Sequence, residues 1–147
     1  MVADDVKKLR EQTGAGVMDC KKTLEDAGGN FEKAVVLIQE RGLIKAEKKA
    51  ERGTGAAFIK AYAHQNRVGV LIEVRAETDF VVKSDPFQEL AHELAMQIAA
   101  MDPENVQALL DQPYVRDPGK TVEALVKGTI AKVGENITIE RFCRYEV

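Results

Sequence analysis

The apolar pattern of this 147-residue chain changes its period at Gly53-Thr54-Gly55. Before these residues the apolar side chains recur at the spacing of helices, and after them two segments alternate in the manner of strands. A glycine-rich break between two such patterns is typical of a domain boundary. The sequence therefore predicts a helical domain over residues 1–52 and a second, core domain over residues 53–147.

Glycines divide the first domain into three short helices. Thr13-Gly14-Ala15-Gly16 separates the first helix from the second, and Gly28-Gly29 separates the second from the third. Asn30 is a good N-cap for the third helix, and Gly42 is expected to interrupt it. The Lys-, Glu- and Ala-rich run from Lys45 to Gly55 then predicts a helical extension that ends in a hinge.

The core domain opens with a predicted hairpin and a long helix. Residues 58–64 and 68–75 alternate between apolar and other side chains, and Gln65-Asn66 supplies the turn between them. The clearest helix begins at Asp85-Pro86, an N-cap followed by a first-turn proline, and its apolar residues keep helical spacing to Ile98.

The rest of the chain predicts two more helices and one strand. A short helix is expected near residues 106–110, a loop near residues 113–118, and a last helix over residues 122–133. Both faces of the closing segment, residues 137–147, carry apolar side chains, so it is covered on both faces or pairs with a second chain. The predicted fold class is α+β: a three-helix bundle followed by about three antiparallel strands packed with helices.

Composition excludes several classes of function. A net charge of -3 disfavours a generally basic nucleic-acid-binding domain. The two cysteines, Cys20 and Cys143, are too few for a disulfide scaffold and lack metal-ligand spacing. No apolar run is long enough for a transmembrane helix, and residues 1–8 lack the apolar centre of a signal peptide, which predicts a cytoplasmic protein. Neither a membrane partner nor a cofactor is expected.

Motifs for nucleotide binding and catalysis fail on spacing. Gly119-Lys120-Thr121 resembles the end of a phosphate-binding loop, but Tyr114 stands where that loop needs a glycine. Gly14-Ala15-Gly16 would need a third glycine where Asp19 stands. No pair of carboxylates suggests acid–base chemistry, so the sequence predicts no catalytic residue and no enzyme.

One connection between a strand and a helix is unusually apolar. Thr78-Asp79-Phe80-Val81 follows the second predicted strand, at a place where polar residues are the rule. Two interpretations are open. Phe80 folds back onto the core while Asp79 caps a turn, or Phe80 is an aromatic anchor that enters a pocket on a partner.

Three runs of residues resemble one known family. They are Leu9 to Lys22 (LREQTGAGVMDCKK), Glu77 to Val81 (ETDFV) and Ile130 to Ile137 (IAKVGENI). Their identity and order are similar to those of bacterial elongation factor Ts, and the resemblance covers nearly the whole chain.

The resemblance implies a guanine nucleotide exchange factor for elongation factor Tu, which binds the GDP-bound and nucleotide-free forms of that partner. In the family, the N-terminal module resembles a ubiquitin-associated domain and docks on the partner's GTPase domain. By match to the motif, candidates for that contact are Arg10, Val17, Met18 and Lys21. The alternative is that Val17 or Met18 belongs to the bundle core and that Lys21 is merely solvated.

The resemblance also gives the apolar connection a role. In the family this segment enters between helices of the partner near its magnesium site and dislocates the ion. Phe80 would be the wedge and Asp79 its polar neighbour, while Thr78 and Val81 would shape the turn. Exchange of this kind involves no covalent chemistry and no direct contact with nucleic acid.

The chain departs from long family members in length. Those carry two related core subdomains and a helical insertion, whereas here the core pattern occurs once, with only Met101 to Asp117 between the helices. Short members pair two chains. The resemblance therefore predicts a homodimer whose interface involves the closing strand, with Cys143 near it. A Cys143–Cys143 disulfide is disfavoured in a reducing cytoplasm, and a small buried apolar residue is the preferred interpretation of Cys143.

Two other classes of function remain as alternatives. An adaptor that only binds a protein through the three-helix module would need neither Phe80 nor residues 53–147. A nucleic-acid-binding protein would use the basic cluster of Lys45, Lys48, Lys49 and Arg52. Acidic residues interleave with that cluster and no exposed aromatic side chains accompany it, so we expect it to be a solvated helix face.

Overall fold

The computed structural model describes residues 3–147, so the first two residues of the predicted N-terminal domain lie outside the described part. Three helices come first, as predicted. Asn30 caps the third helix by accepting a hydrogen bond from the backbone N–H of Lys33 at 3.0 Å. These helices are α1 (Ala3–Thr13), α2 (Val17–Asp26) and α3 (Phe31–Lys49).

The remaining elements form a mixed helical and antiparallel core. In the main sheet the second strand of the chain pairs with the first on one side and with the closing strand on the other, both antiparallel, which confirms the predicted α+β class. Gln65 and Asn66 both have positive φ in the turn between the first two strands, as the hairpin prediction requires. The elements are β1 (Ala56–His64), β2 (Val68–Ala76), α4 (Asp79–Val82), α5 (Asp85–Met101), α6 (Val106–Asp111), β3 (Pro113–Tyr114), β4 (Asp117–Thr121), α7 (Val122–Val133) and β5 (Ile137–Glu146).

Gly42 does not interrupt the third helix, and that prediction was wrong. α3 continues through it to Lys49 and packs along α7. A Cβ atom at position 42 would lie 3.3 Å from the Cβ of Ala131, so the glycine permits close helix packing there. The second half of α3 thereby contacts the core: Ala46 is buried against it, and Glu47 pairs with Lys127 at 3.4 Å.

A second small hairpin, β3–β4, replaces the loop expected near residues 113–118. The side chain of Gln97 on α5 donates to the Pro113 carbonyl at 3.1 Å and accepts from the Val115 N–H at 2.9 Å. The Tyr114 hydroxyl donates to Glu93 at 2.7 Å. Long-range contacts with α5, rather than local propensity, hold this hairpin in place.

The closing strand contains a bulge that the alternation pattern did not predict. Arg141 is opposite Glu73 while Ile139 is opposite the next residue, Val74, so Glu140 is the extra residue. Because of the extra residue, odd-numbered side chains point towards the core before the bulge and away from the core after it. Ile139 packs towards the core, whereas Cys143 lies with Arg141 on the other face, which explains why neither predicted face was purely polar.

Buried apolar residues form two clusters. The smaller one joins α1, α2 and the first half of α3 around Leu9, Cys20 and Leu24. The larger one lies between one face of the main sheet and helices α5 and α7, with Phe87 and Ile72 fully buried. The division into domains 1–52 and 53–147 stays a prediction.

The opposite face of the main sheet is apolar and uncovered among residues 3–147. We call it the outer sheet face, and it comprises Ile59, Ala61, Leu71, Cys143 and Tyr145. Leu71 is opposite Ala61 on one side and Cys143 on the other, so the three form one row across the strands.

Candidate functional site

Phe80 projects from a four-residue helix, α4, that links β2 to α5. Its side chain is 86% exposed, so the interpretation in which it folds back onto the core is wrong. Asp79 is exposed as well, whereas Val81 and Val82 on the same helix are buried in the larger cluster. The helix α4 therefore presents an aromatic ring and a carboxylate to solvent, while its two valines anchor it in the core.

Both ends of α4 are closed by hydrogen bonds. Thr78 is the N-cap, and its hydroxyl accepts from the Val81 N–H at 3.4 Å. At the other end, Ser84 donates to the Val81 carbonyl and Gln88 donates to the Val82 carbonyl, each at 2.6 Å. Because helix ends otherwise leave donors and acceptors unpaired, these bonds stabilise a helix too short to persist alone.

The four predicted docking residues lie on α1 and α2. Arg10, Val17 and Lys21 line a shallow open groove between these helices, and Met18 is 73% exposed beside it. Val17 is also exposed, so neither apolar side chain belongs to the bundle core and the alternative interpretation is wrong for both. We call these four residues the docking surface.

The turn that shapes the groove depends on Gly14. Its φ of +73° is left-handed, and its N–H closes α1 by donating to the Arg10 carbonyl at 2.8 Å. A Cβ atom there would overlap Cε of Lys132 on α7, so a side chain at this position would displace that lysine.

The two cysteines occupy opposite environments. Cys20 is fully buried in the smaller cluster, and burial raises the pKa of its thiol above the ordinary value. Cys143 is exposed on the outer sheet face. The expectation that Cys143 is a small buried apolar residue was therefore wrong for the single chain.

A charged border lies next to the apolar rows of the outer sheet face. Glu73 accepts hydrogen bonds from Arg141 at 2.8 Å and from Arg75 at 2.7 Å. The bond from Arg141 is the main reason that the pKa of Glu73 lies below its ordinary value, and Arg75 lowers it further. Ile59 is opposite Glu73 on β1, so this charged row also contains one apolar side chain and lies next to the apolar row of Ala61, Leu71 and Cys143.

The basic cluster at and just after the end of α3 is partly neutralised by neighbouring acids. Lys45 pairs with Asp19 at 2.9 Å, and Arg52 lies 3.7 Å from Glu77. Such pairs, with acids interleaved, favour a solvated helix face over a nucleic-acid-binding surface.

Residues 3–147 contain no group of three or more histidine, cysteine, aspartate or glutamate side chains that could hold a metal ion. In the same residues no helix is both long and apolar enough to cross a membrane.

Sequence reasoning assigned no role to Glu135 and Asn136, although they lie in the third of the matching runs. Both side chains hydrogen-bond to segments that are distant in sequence, namely the cap of α4 and the residues after α3. The available signal was a polar pair directly after a helix-ending glycine, Gly134. That signal does not identify the residues to which Glu135 and Asn136 hydrogen-bond, because these residues come close only in the folded chain.

Known proteins match this chain over most of its length. A family model described as elongation factor TS matches residues 77–147. An elongation factor Ts of Thermotoga petrophila is 43% identical over 98% of this chain and 94% of its own length. That of Coprothermobacter proteolyticus is 41% identical over 95% of this chain and 94% of its own length. That of Aquifex aeolicus is 46% identical over 97% of this chain but only 51% of its own length.

The alignments also locate a difference in length. The match to the Thermotoga petrophila protein extends over 188 residues, although this chain has only 147. That relative therefore contains internal residues with no counterpart here. The match to the Aquifex aeolicus protein extends over 149 residues, so that relative aligns with this chain almost without such insertions.

Proposed function

The chain belongs to the elongation factor Ts family, and on that premise we propose that it is a guanine nucleotide exchange factor for elongation factor Tu. As a member of this family it has a role in translation elongation with elongation factor Tu as its partner. The finer proposal is that it accelerates GDP release by dislocating the partner's Mg²⁺. Such a role belongs to the cytoplasm and involves no covalent chemistry by this chain.

The exposure of Phe80 carries the proposal. An aromatic side chain that is 86% exposed costs solvation free energy in the free protein and is typical of an anchor that a partner buries. The base of α4 is fixed by Val81 and Val82, so little conformational entropy is lost when the ring enters a gap. Asp79 on the same helix adds a carboxylate next to the wedge.

Wedging next to the ion explains how exchange could occur. In such GTPases Mg²⁺ bridges the phosphates and neutralises their charge. Moving the ion leaves that charge less well compensated, so GDP dissociates faster. Since the factor binds the nucleotide-free partner best, linkage requires it to weaken nucleotide binding by the same factor. The excess of GTP in the cell then sets the direction of exchange.

The docking surface has a different task in this proposal. Arg10 and Lys21 supply positive charge around the groove, and Val17 and Met18 supply exposed apolar area beside it. Contacts of this kind hold the partner in both nucleotide states and therefore set affinity more than rate. The three-helix module is proposed to resemble a ubiquitin-associated domain in its fold and to dock on the GTPase domain of the partner.

The decisive test is GDP release from elongation factor Tu of the same organism. The parent chain is expected to accelerate release strongly, and Phe80→Ala is expected to lose most of that acceleration. Val115→Ala, which shortens another exposed apolar side chain on the β3–β4 hairpin, is the matched control and should match the parent. Absence of acceleration by the parent, with binding intact, would refute the proposal and favour an adaptor.

We also propose that two copies of the chain associate through the outer sheet face. A sheet face that leaves Leu71, Cys143 and Tyr145 exposed in neighbouring positions is a contiguous apolar surface, which is typical of an interaction site. Self-association would bury it, and the border around Glu73 would fix the orientation of the two sheets. The closing strand β5 contributes Cys143 and Tyr145, which agrees with the predicted interface.

Sedimentation over a dilution series tests the dimer. The parent is expected to sediment as a dimer at micromolar concentration and Leu71→Lys as a monomer, since a charge in the centre of an apolar interface is costly. Ile44→Lys, on the exposed side of α3, is the control and should leave the dimer intact. A parent that stays monomeric at micromolar concentration would overturn the dimer without affecting the exchange proposal.

A further inference from the structure

The turn Gly134-Glu135-Asn136 contacts two segments that the proposed function needs to hold together. Gly134 ends α7 with a φ of +78°, and its N–H donates to the Ile130 carbonyl at 2.8 Å. This left-handed residue directs the chain out of the helix axis. The next two residues then reach the cap of α4 and the residues that follow α3.

Glu135 holds the residue that begins α4. One carboxylate oxygen accepts from the Thr78 N–H at 3.0 Å, and the other accepts from the Thr78 hydroxyl at 2.8 Å. The same hydroxyl oxygen caps the helix by accepting from the Val81 N–H. The carboxylate thus fixes both the backbone and the side chain of the N-cap, two residues before Phe80.

Asn136 holds the end of the N-terminal helical segment. Its side chain is buried, and its amide group donates to the carbonyl of Arg52 at 2.9 Å and to that of Ala50 at 3.3 Å. Its backbone N–H donates to Glu77 at 2.6 Å, and Glu77 in turn pairs with Arg52. One turn therefore joins the chain after α3 to the chain before α4.

We infer that this turn positions the wedge relative to the docking surface, with Glu135 acting as a positioning residue for Phe80. The inference rests on the proposed exchange function. Glu135 does not touch the partner. It keeps α4 in one orientation, so Phe80 already has the orientation needed to enter the gap when the partner docks. Loss of its hydrogen bonds would leave docking intact and make productive insertion rarer.

Exchange kinetics with three replacements test the inference. Glu135→Ala removes both hydrogen bonds, and we expect the maximal rate of GDP release to fall about five- to tenfold with the half-saturating concentration nearly unchanged. Glu135→Gln keeps an acceptor for the Thr78 N–H and a polar partner for the hydroxyl, so it should restore most of the rate. Glu104→Ala, an exposed carboxylate between α5 and α6, is the control.

A double variant separates positioning from direct contact. If Glu135 acts through Phe80, adding Glu135→Ala to Phe80→Ala should cause no further loss of rate. A further loss in the double variant, or a Glu135→Gln variant as slow as Glu135→Ala, would show that the carboxylate acts on the partner itself and would overturn the inference. An unchanged rate in Glu135→Ala would overturn it as well, while leaving the exchange function intact.

Backbone relaxation measured by NMR on the chain alone tests the same inference without the partner. The order parameter of the Phe80 amide is expected near 0.85 in the parent, to fall towards about 0.6 in Glu135→Ala, and to recover in Glu135→Gln. An equally ordered Phe80 in all three proteins would refute the positioning role. If the parent failed to accelerate GDP release, the exchange function would fall, and this measurement would still decide whether Glu135 orders the helix.

Discussion

Among residues 3–147, the docking surface lies on the smaller apolar cluster, which has five buried residues. The helix that carries Phe80 packs on the larger cluster, which has nineteen buried residues. The five are small or medium in size, with Leu9 and Leu24 the largest. The larger cluster includes a fully buried phenylalanine, Phe87, in edge-to-face contact with Phe58 at 6.1 Å between ring centres. Stability is therefore distributed unevenly between the two surfaces that are proposed to meet the partner.

The difference in size between the two clusters suits the two proposed tasks. A docking surface that must hold the partner in several nucleotide states benefits from a base that opens or adjusts at low cost, as small clusters do. A wedge that enters a narrow gap must keep its conformation, so the helix that carries it needs a rigid core beneath it. Asn136 and the packing of α3 along α7 link the two parts without making them equally stable.

The largest effect is expected from equal truncations in the two clusters. Leu24 and Leu94 are both fully buried, and truncating a buried leucine to alanine costs about 2–5 kcal/mol. Leu94→Ala should lower the free energy of global unfolding. Leu24→Ala should release the N-terminal helices while β1, β2 and β5 stay folded. Amide hydrogen exchange resolved by residue distinguishes these outcomes, and equal loss of protection in both regions would mean that the clusters form one cooperative unit.

The next effect concerns the larger cluster alone. Burial, followed by the hydrogen bond to Glu93, raises the pKa of Tyr114 to about 12, above the value near 10 of an unfolded tyrosine. A raised pKa means that this contribution to stability is complete below pH 10 and is lost as pH rises from 10 to 12. The loss is roughly 3 kcal/mol at most.

Urea unfolding at several alkaline pH values measures this dependence, with Tyr114→Phe as the comparison. The variant should show a flatter decline between pH 10 and pH 12, because it has no phenol at that position. A parent and a variant with parallel declines would contradict the assignment to Tyr114.

A smaller effect is expected at the docking surface. Met18→Ala removes exposed apolar area that the partner would bury, at about 1 kcal/mol, which is roughly a fivefold rise in the half-saturating concentration. The maximal rate of GDP release should stay the same. Met101→Ala, another exposed methionine at the end of α5, is the control. A fall in the maximal rate would contradict the division of tasks between the two surfaces.

Local sequence signals predicted much of the fold. The three N-terminal helices, the Gln65-Asn66 turn, the long helix and the closing strand were visible as periodicity and turn or capping signals. The N-cap of the long helix was predicted wrongly: it is Ser84, and Asp85 is already the first helical residue. Features set by distant contacts were not visible. The β3–β4 hairpin depends on Gln97, and the continuity of α3 through Gly42 depends on the approach of Ala131.

The candidate site shows the same limit. A sequence indicates that Phe80 stands in an unusual place, but only packing decides whether the ring points inward or outward, and here the buried pair Val81 and Val82 forces it outward. The facing of Cys143 depends on the bulge at Glu140, for which the alternation gave no signal. The assigned roles of both residues stay predictions until measured.

The most direct test of the wedge is the Mg²⁺ dependence of GDP release from elongation factor Tu with the parent and Phe80→Ala. If Phe80 acts by dislocating the ion, the variant should be much slower than the parent in millimolar Mg²⁺, and the two should approach each other when a chelator removes the ion. An equally large difference between them with and without Mg²⁺ would contradict the wedge mechanism.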